Sequence, residues 1–230
     1  MKRLLLTALL LLTSSAWADD YDDALAANKR GDYAAELRIT RPLATKGEAW
    51  AQSFLGDSYR QGNGVLKNDA EAVMFYRQAA VQGDRTAQSN LGWMYENGQG
   101  VAQDYAEAAK WYRRSAEQGS GTAQSNLANL YSLGRGVVRD YVEAVKWYRL
   151  AGAQGYFSAH YNLGWMYANG QGVVQDDVVA HMWFNLAAVK GDASAVKSRD
   201  IIAKRLTPQQ MAEAQKLARE CQARDFKGGE

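Results

Sequence analysis

Shifted against itself by 36 residues, the chain superposes Ala51, Ala87, Ala123 and Ala159, then Leu55, Leu91, Leu127 and Leu163, then Tyr59, Tyr95, Tyr131 and Tyr167. Glycine pairs keep the same phase: Gly62 and Gly64, Gly98 and Gly100, Gly134 and Gly136, Gly170 and Gly172. A fixed period of this length means one supersecondary unit stacked on copies of itself, because a single unit of that size cannot bury its own apolar face. The copies run over 49–84, 85–120, 121–156 and 157–192.

Each copy divides into two amphipathic helices. In the second, Ala87, Asn90, Leu91, Met94 and Tyr95 fall at i, i+3, i+4, i+7 and i+8, which is one face of a helix, here termed helix A. Gly98 and Gly100 end it, since glycine tolerates the left-handed backbone that stops a helix, and Val101 is placed to fold back under the turn. Asp104 supplies N-cap chemistry for helix B, and Glu107 three residues on resembles a capping box with Asp in place of Ser or Thr. Ala108, Trp111, Tyr112, Ser115 and Ala116 form the stripe of helix B, which Gly119 closes. Small residues at Ala51, Gly56, Ala72 and Ala80 and their equivalents allow close helix approach, while Tyr and Trp fill the gaps between hairpins.

The flanks are weaker copies. Residues 19–48 read as a degenerate hairpin whose turn is only Arg30-Gly31-Asp32. Residues 193–223 read as two capping helices, the second opened by Thr207-Pro208-Gln209-Gln210 and facing Met211, Ala214, Leu217, Ala218 and Cys221 inward. A frayed polar tail follows at 224–230. The expected architecture is an all-α, right-handed solenoid of antiparallel hairpins with about 12 helices.

Residues 1–18 stand outside the period. Lys2 and Arg3, the apolar run from Leu4 to Leu12, and Ala16-Trp17-Ala18 follow the order of an export leader, with cleavage expected before Asp19 and a periplasmic destination. The apolar run is shorter than the roughly 20 residues of a membrane span. Asp19 rather than Cys after the cut argues against a lipid anchor. Without the leader's two basic residues, 25 Lys and Arg face 25 Asp and Glu. The basic footprint of a nucleic-acid binder is therefore missing. Cys221 is the only cysteine, so no intramolecular disulfide can form; a small apolar role on the last helix and a monomeric chain are expected.

The run Ala-x-x-x-Leu-Gly-x-x-Tyr-x-x-Gly-x-Gly-Val, from Ala87 to Val101, continues as Asp-x-x-x-Ala-x-x-Trp-Tyr, from Asp104 to Tyr112. This pattern resembles the Sel-1-like repeat, a longer-looped relative of the tetratricopeptide repeat. Departures are Asn68 for the Asp, Ala128 for the Gly, Phe75 for the Trp and Gly152 for an Ala. The resemblance implies an adaptor or scaffold with no catalytic residue and no cofactor. For exported members it implies a place in envelope complexes, in host contact, or in neutralising a secreted toxin as an immunity protein.

In stacks of the tetratricopeptide type helix A lines the concave face, so partner-binding residues are expected beside the core stripe. They are Trp50, Ser53, Asp57 and Arg60; Ser89, Trp93 and Glu96; Ser125, Asn129 and Ser132; Tyr161, Trp165 and Asn169. Aromatics among small polar residues suit a protein or peptide partner. The competing expectation is that Trp93 and Trp165 pack between hairpins, as large aromatics usually do.

Other chemistry is thin. The glycine loops have no preceding strand and no third glycine, so they are turns rather than phosphate cradles. Ser194-Ala195-Val196-Lys197 matches a Ser-x-x-Lys element, which raises a β-lactamase-like hydrolase as an alternative. The Ser-Asp-Asn and Lys-Thr-Gly elements of such a site are missing. His160 takes the place of Gln52, Gln88 and Gln124, and His181 that of Val73, Ala109 and Val145; neither has a Cys partner, and no metal site is expected.

Overall fold

The computed structural model describes residues 19–189 and 191–224, and the export leader lies outside them. All regular structure among the described residues is helical: α1 over 19–29, α2 (Tyr33–Thr45), α3 (Ala49–Gln61), α4 (Asp69–Val81), α5 (Arg85–Asn97), α6 (Tyr105–Glu117), α7 (Gly121–Leu133), α8 (Tyr141–Gly152), α9 (Phe157–Asn169), α10 (Asp177–Ala188), α11 (Ala193–Ala203) and α12 (Pro208–Ala223). The chain forms two compact units, Met1–Gln103 with α1 to α5 and Asp104–Glu230 with α6 to α12. In the first, α2, α3, α4 and α5 pack each on the next; in the second, α6 to α10 do the same, and α10 also receives α11 and α12. Each unit is a stack of antiparallel helical hairpins.

Side-chain caps start the helices where the sequence places them. Asn68, Asp104, Asp140 and Asp176 each accept two backbone N–H groups of the following B helix. Glu107 does not complete a box, because its carboxylate takes the Lys110 ammonium at 2.9 Å; the cap is Asp104 alone. Thr207 and Gln210 do form a full capping box at α12. Three of α12's apolar residues, Ala214, Ala218 and Cys221, are buried.

The two glycines of each loop do different work. The first, as at Gly134, is the left-handed C-cap that closes helix A. The second is a contact point between hairpins. A Cβ on Gly136 would lie 2.2 Å from the Tyr105 carbonyl carbon, and one on Gly172 would lie 2.3 Å from the Tyr141 carbonyl oxygen. Within each unit the loop of one hairpin thus rests on the first turn of the preceding helix B, at a distance that excludes any side chain.

Aromatic rings of helix B fill the space that small residues of helix A leave. Tyr76, Tyr112, Tyr148 and Phe184 are almost fully buried. A Cβ on Gly56 would meet the Tyr76 ring at 2.5 Å, and one on Gly164 the Phe184 ring at 2.7 Å. Polar bonds recur at the same period: Gln52, Gln88 and Gln124 donate from Nε2 to the carbonyls of Ala44, Ala80 and Ala116 at 3.3, 3.0 and 3.1 Å. At the N-terminal end the period gives way to a buried Glu36. Its carboxylate accepts Asn28 Nδ2 at 2.7 Å and Ser58 Oγ at 2.9 Å, tying α1, α2 and α3 together.

Candidate partner-binding face

In the first unit the helix-A face is organised by Asp57. Its carboxylate accepts the Tyr76 hydroxyl at 2.6 Å and Asn90 Nδ2 at 3.2 Å, so α3, α4 and α5 converge on one oxygen. Arg60 donates from Nε to Tyr76 Oη at 3.1 Å, lies 3.6 Å from Asp57, and sets its guanidinium over the Trp93 ring at 5.8 Å. Burial pushes the Asp57 carboxyl up, against the pull of the Tyr76 hydrogen bond and the Arg60 charge. Burial and the Asp57 charge push the Tyr76 phenol far above its ordinary range, which keeps it a neutral donor.

The second unit repeats the station 72 residues on without the charges. Asn129 accepts the Tyr148 hydroxyl at 2.5 Å and Asn162 Nδ2 at 3.2 Å. Burial pushes the Tyr148 phenol up to about 12. Ser132 stands where Arg60 stands and bonds back to the Asn129 carbonyl at 2.9 Å. Nothing of Arg60's kind covers Trp165 from that position, and Trp165 is 49% exposed. Its Nε1 donates to Tyr161 Oη at 3.1 Å, and the Tyr161 ring leans on Phe184 at 5.6 Å.

The expected stripe divides under this geometry. Ser53, Ser89 and Ser125 are buried, which corrects their place on an exposed face. Ser125 lies toward the neighbouring hairpin, its Oγ 3.5 Å from Ser158 Oγ, and a small side chain there lets α7 and α9 approach. Asp57 and Asn129 are half-buried and turn their acceptors inward, so both are positioning residues. Trp50 is half-buried, packed edge-on against Tyr21 and Phe54 at 5.4 and 5.8 Å. Arg60, Trp93, Glu96, Ser132 and Tyr161 are half-buried at the surface, and Trp165 and Asn169 are exposed.

Sequence reasoning overlooked the far wall of a groove. Between α9 and α11, above Phe184 of α10, a recess of about 150 Å³ is lined by Trp165, Ile201, Ile202 and Arg205. A second, of about 320 Å³ and nearer the N-terminal ends of the same two helices, is lined by Tyr161, Asn162, Asp192 and Ser194. The signal was present in the period, since Ile201 lies 36 residues after Trp165, but the lost Leu and Tyr markers of the last copy hid it.

The remaining candidates have structural explanations. His160 is buried and its Nε2 meets the Gly152 carbonyl at 2.9 Å, the bond that glutamine makes in the other copies. Burial lowers its pKa, which keeps the imidazole neutral. His181 is also buried and held low by burial and then by Arg199. Ser194 and Lys197 are both exposed on α11. Cys221 is buried, which pushes its thiol up. Among the described residues no group of His, Cys, Asp or Glu is arranged to hold a metal ion, and no helix is long and apolar enough to cross a membrane.

Stacked hairpins with a period of 36 residues, joined by polar ladders and presenting aromatics on one helix face, define a helical-repeat scaffold. The chain belongs to the Sel1 repeat family, whose repeat model matches residues 51–84, 86–120, 121–156 and 157–192. Proteins of this family are protein-interaction scaffolds. The structure is similar to that of a protective antigen present in uropathogenic Escherichia coli strains, with a TM-score of 0.78 and 34% identity over 84% of this chain and 41% of that one. This chain thus spans about two fifths of that chain's length. It is also similar to a Sel1 repeat protein from Oxalobacter formigenes, with a TM-score of 0.73 and 30% identity over 87% of this chain and 84% of that one. No curated protein matches the chain significantly.

Proposed function

We propose that the protein is an exported, periplasmic adaptor that holds a protein or peptide partner on its helix-A face, without catalysis. The observation that carries this reading is the pair of surface tryptophans at one register: Trp93 beneath the Arg60 guanidinium and Trp165 half in solvent. Tryptophan and arginine are over-represented among side chains that dominate binding energy, tryptophan because it brings large contact area at low entropic cost. The balanced charge of the chain after its leader argues against capture by charge alone.

The test is affinity capture from periplasmic extract by the wild-type chain and by Trp93→Ala and Trp165→Ala, each checked for unchanged helicity by circular dichroism. A partner whose affinity drops by more than ~1 kcal/mol at either tryptophan supports the reading. A partner bound equally well by both variants removes the helix-A face as the site. Export is tested separately: N-terminal sequencing of the periplasmic form should begin at Asp19.

A further inference from the structure

The groove between α9 and α11 has a chemistry of its own. The two helices are A helices of successive hairpins, so they run side by side with α10 beneath, and Phe184 and Ala187 of α10 lie at its floor. Its two recesses differ. The one at Trp165 is walled by Phe184, Ile201 and Ile202, with Trp165 and Ile201 49% and 45% exposed. Exposed apolar side chains around a shared recess are unusual on a soluble surface and mark a place for an apolar group. The recess at Tyr161 mixes Phe157 and Ala195 with Ser158, Asn162 and Ser194, and among its described lining residues the charge belongs to Asp192. One Asp192 oxygen accepts the Ala195 N–H at 2.8 Å as the N-cap of α11. That bond leaves the carboxylate its charge, and the residue is exposed. At the apolar end Arg205 is already placed 3.7 Å from Asp177, so it adds no comparable field of its own.

The spacing of the recesses selects the ligand's backbone. Along α11, Asp192 of the one recess and Ile201 of the other are nine residues apart, about 13 Å along the helix axis. In an extended peptide the side chains at i and i+4 point the same way and lie roughly 13 Å apart. We infer that this groove binds an extended peptide segment that places a Lys or Arg side chain against Asp192 and, four residues on, a bulky apolar side chain in the Trp165–Ile201 recess. The inference rests on the scaffold reading and names the partner chemistry of one part of that face.

The experiment uses end-blocked, fluorescently labelled heptapeptides on an Ala-Gly background, titrated by anisotropy against the full chain. The probes carry Lys and Phe at relative positions i,i+2, i,i+3 or i,i+4, or Lys or Phe alone, or Glu in place of Lys. The i,i+4 peptide should bind about tenfold more tightly than the other spacings, the single-residue peptides and the Glu peptide. Asp192→Asn keeps an N-cap-competent side chain while removing the charge, so it should abolish the preference for Lys over Glu and leave the preference for Phe. Trp165→Ala and Ile201→Ala, at half-exposed positions, should do the reverse. Equal binding at all spacings, a preference for Glu, or binding that all three variants leave unchanged overturns the assignment. If the peptides fail while a captured partner still depends on Trp93 or Trp165, the groove specificity falls and the scaffold reading stands. If the peptides bind as stated while no partner depends on either tryptophan, the reverse holds.

Discussion

Positions 72 residues apart hold the same fold with two different side-chain solutions. In the first unit Asp57, Arg60, Tyr76 and Asn90 make a charged cluster that draws a guanidinium over Trp93. In the second, Asn129, Ser132, Tyr148 and Asn162 make a neutral one, and Trp165 is left for Tyr161 to steady. The residues that bond the hairpins together keep their geometry in both. The Tyr-to-acceptor distance is 2.6 Å in one and 2.5 Å in the other, and the Asn-to-acceptor distance is 3.2 Å in both. What varies is the charge of the acceptor and the identity of the outermost residue, so the repeat fixes the geometry of the stacking bonds and leaves their charge and the surface chemistry to individual positions.

The largest expected effect separates the two clusters directly. Asp57→Ala removes the acceptor for Tyr76 and Asn90 and strands Arg60, at a cost of about 3 kcal/mol, whereas Asn129→Ala should cost roughly half as much because no charged partner is stranded. Urea denaturation midpoints compare the two, and equal losses would show that the charge contributes nothing. Next comes packing. Gly56→Ala drives a methyl into the Tyr76 ring and should cost about 1–3 kcal/mol. Ala128, at the same register, already stands against Tyr148 in the other unit. Ala128→Gly should therefore lose only about 1 kcal/mol, through helix propensity and a small void; a larger loss there than at Gly56 would reverse the comparison.

A smaller effect concerns Gly152 and His160, the counterparts of Ala80 and Gln88. A Cβ on Gly152 would sit 3.0 Å from His160 Cδ2, so the glycine makes room for the ring. Gly152→Ala should cost about 1 kcal/mol with His160 present and should be neutral or stabilising with His160→Gln, a coupling that a double-mutant cycle detects. The pH dependence has a definite sign. Burial lowers the folded pKa of His160 from 6.5, so below that value the unfolded chain takes up a proton that the folded chain refuses. Stability should fall as pH drops through about 6.5 toward the folded value, and His160→Gln should flatten that slope. The smallest change is expected from Arg60→Ser, which copies the second unit into the first. Stability should shift by only about 1 kcal/mol, because the guanidinium's contacts with Trp93, Tyr76 and Asp57 are all partly solvent-exposed and Tyr76 and Asn90 still donate to Asp57. Acrylamide quenching of Trp93 should rise toward that of Trp165; unchanged quenching would mean that Arg60 does not shield the ring.

Much of this molecule could be read before any coordinates. The period named the repeat, and the alternation of apolar stripe and glycine placed every A helix and B helix between Ala49 and Ala188. Helical phase alone, however, put Ser89 and Ser125 on the exposed face, because a helical wheel knows which residues share a side but not how far a neighbouring hairpin wraps around it. The same limit separated two departures from the repeat that belong together: Gly152 and His160 are one compensated pair, visible only when the ring and the missing methyl are seen to share a space.

The sequence by itself determined the unit, its number of copies, its caps and the chemical character of its loops, since these depend on contacts within a few residues and on periodicity. Only the tertiary structure decided which tryptophan is covered, why the second loop glycine admits no side chain, and that Ile201 faces Trp165 and Asp192 faces Tyr161 across one groove. Those facts arise from the packing of one hairpin on the next, where positions far apart in the chain meet at distances of a few ångströms that no local pattern encodes.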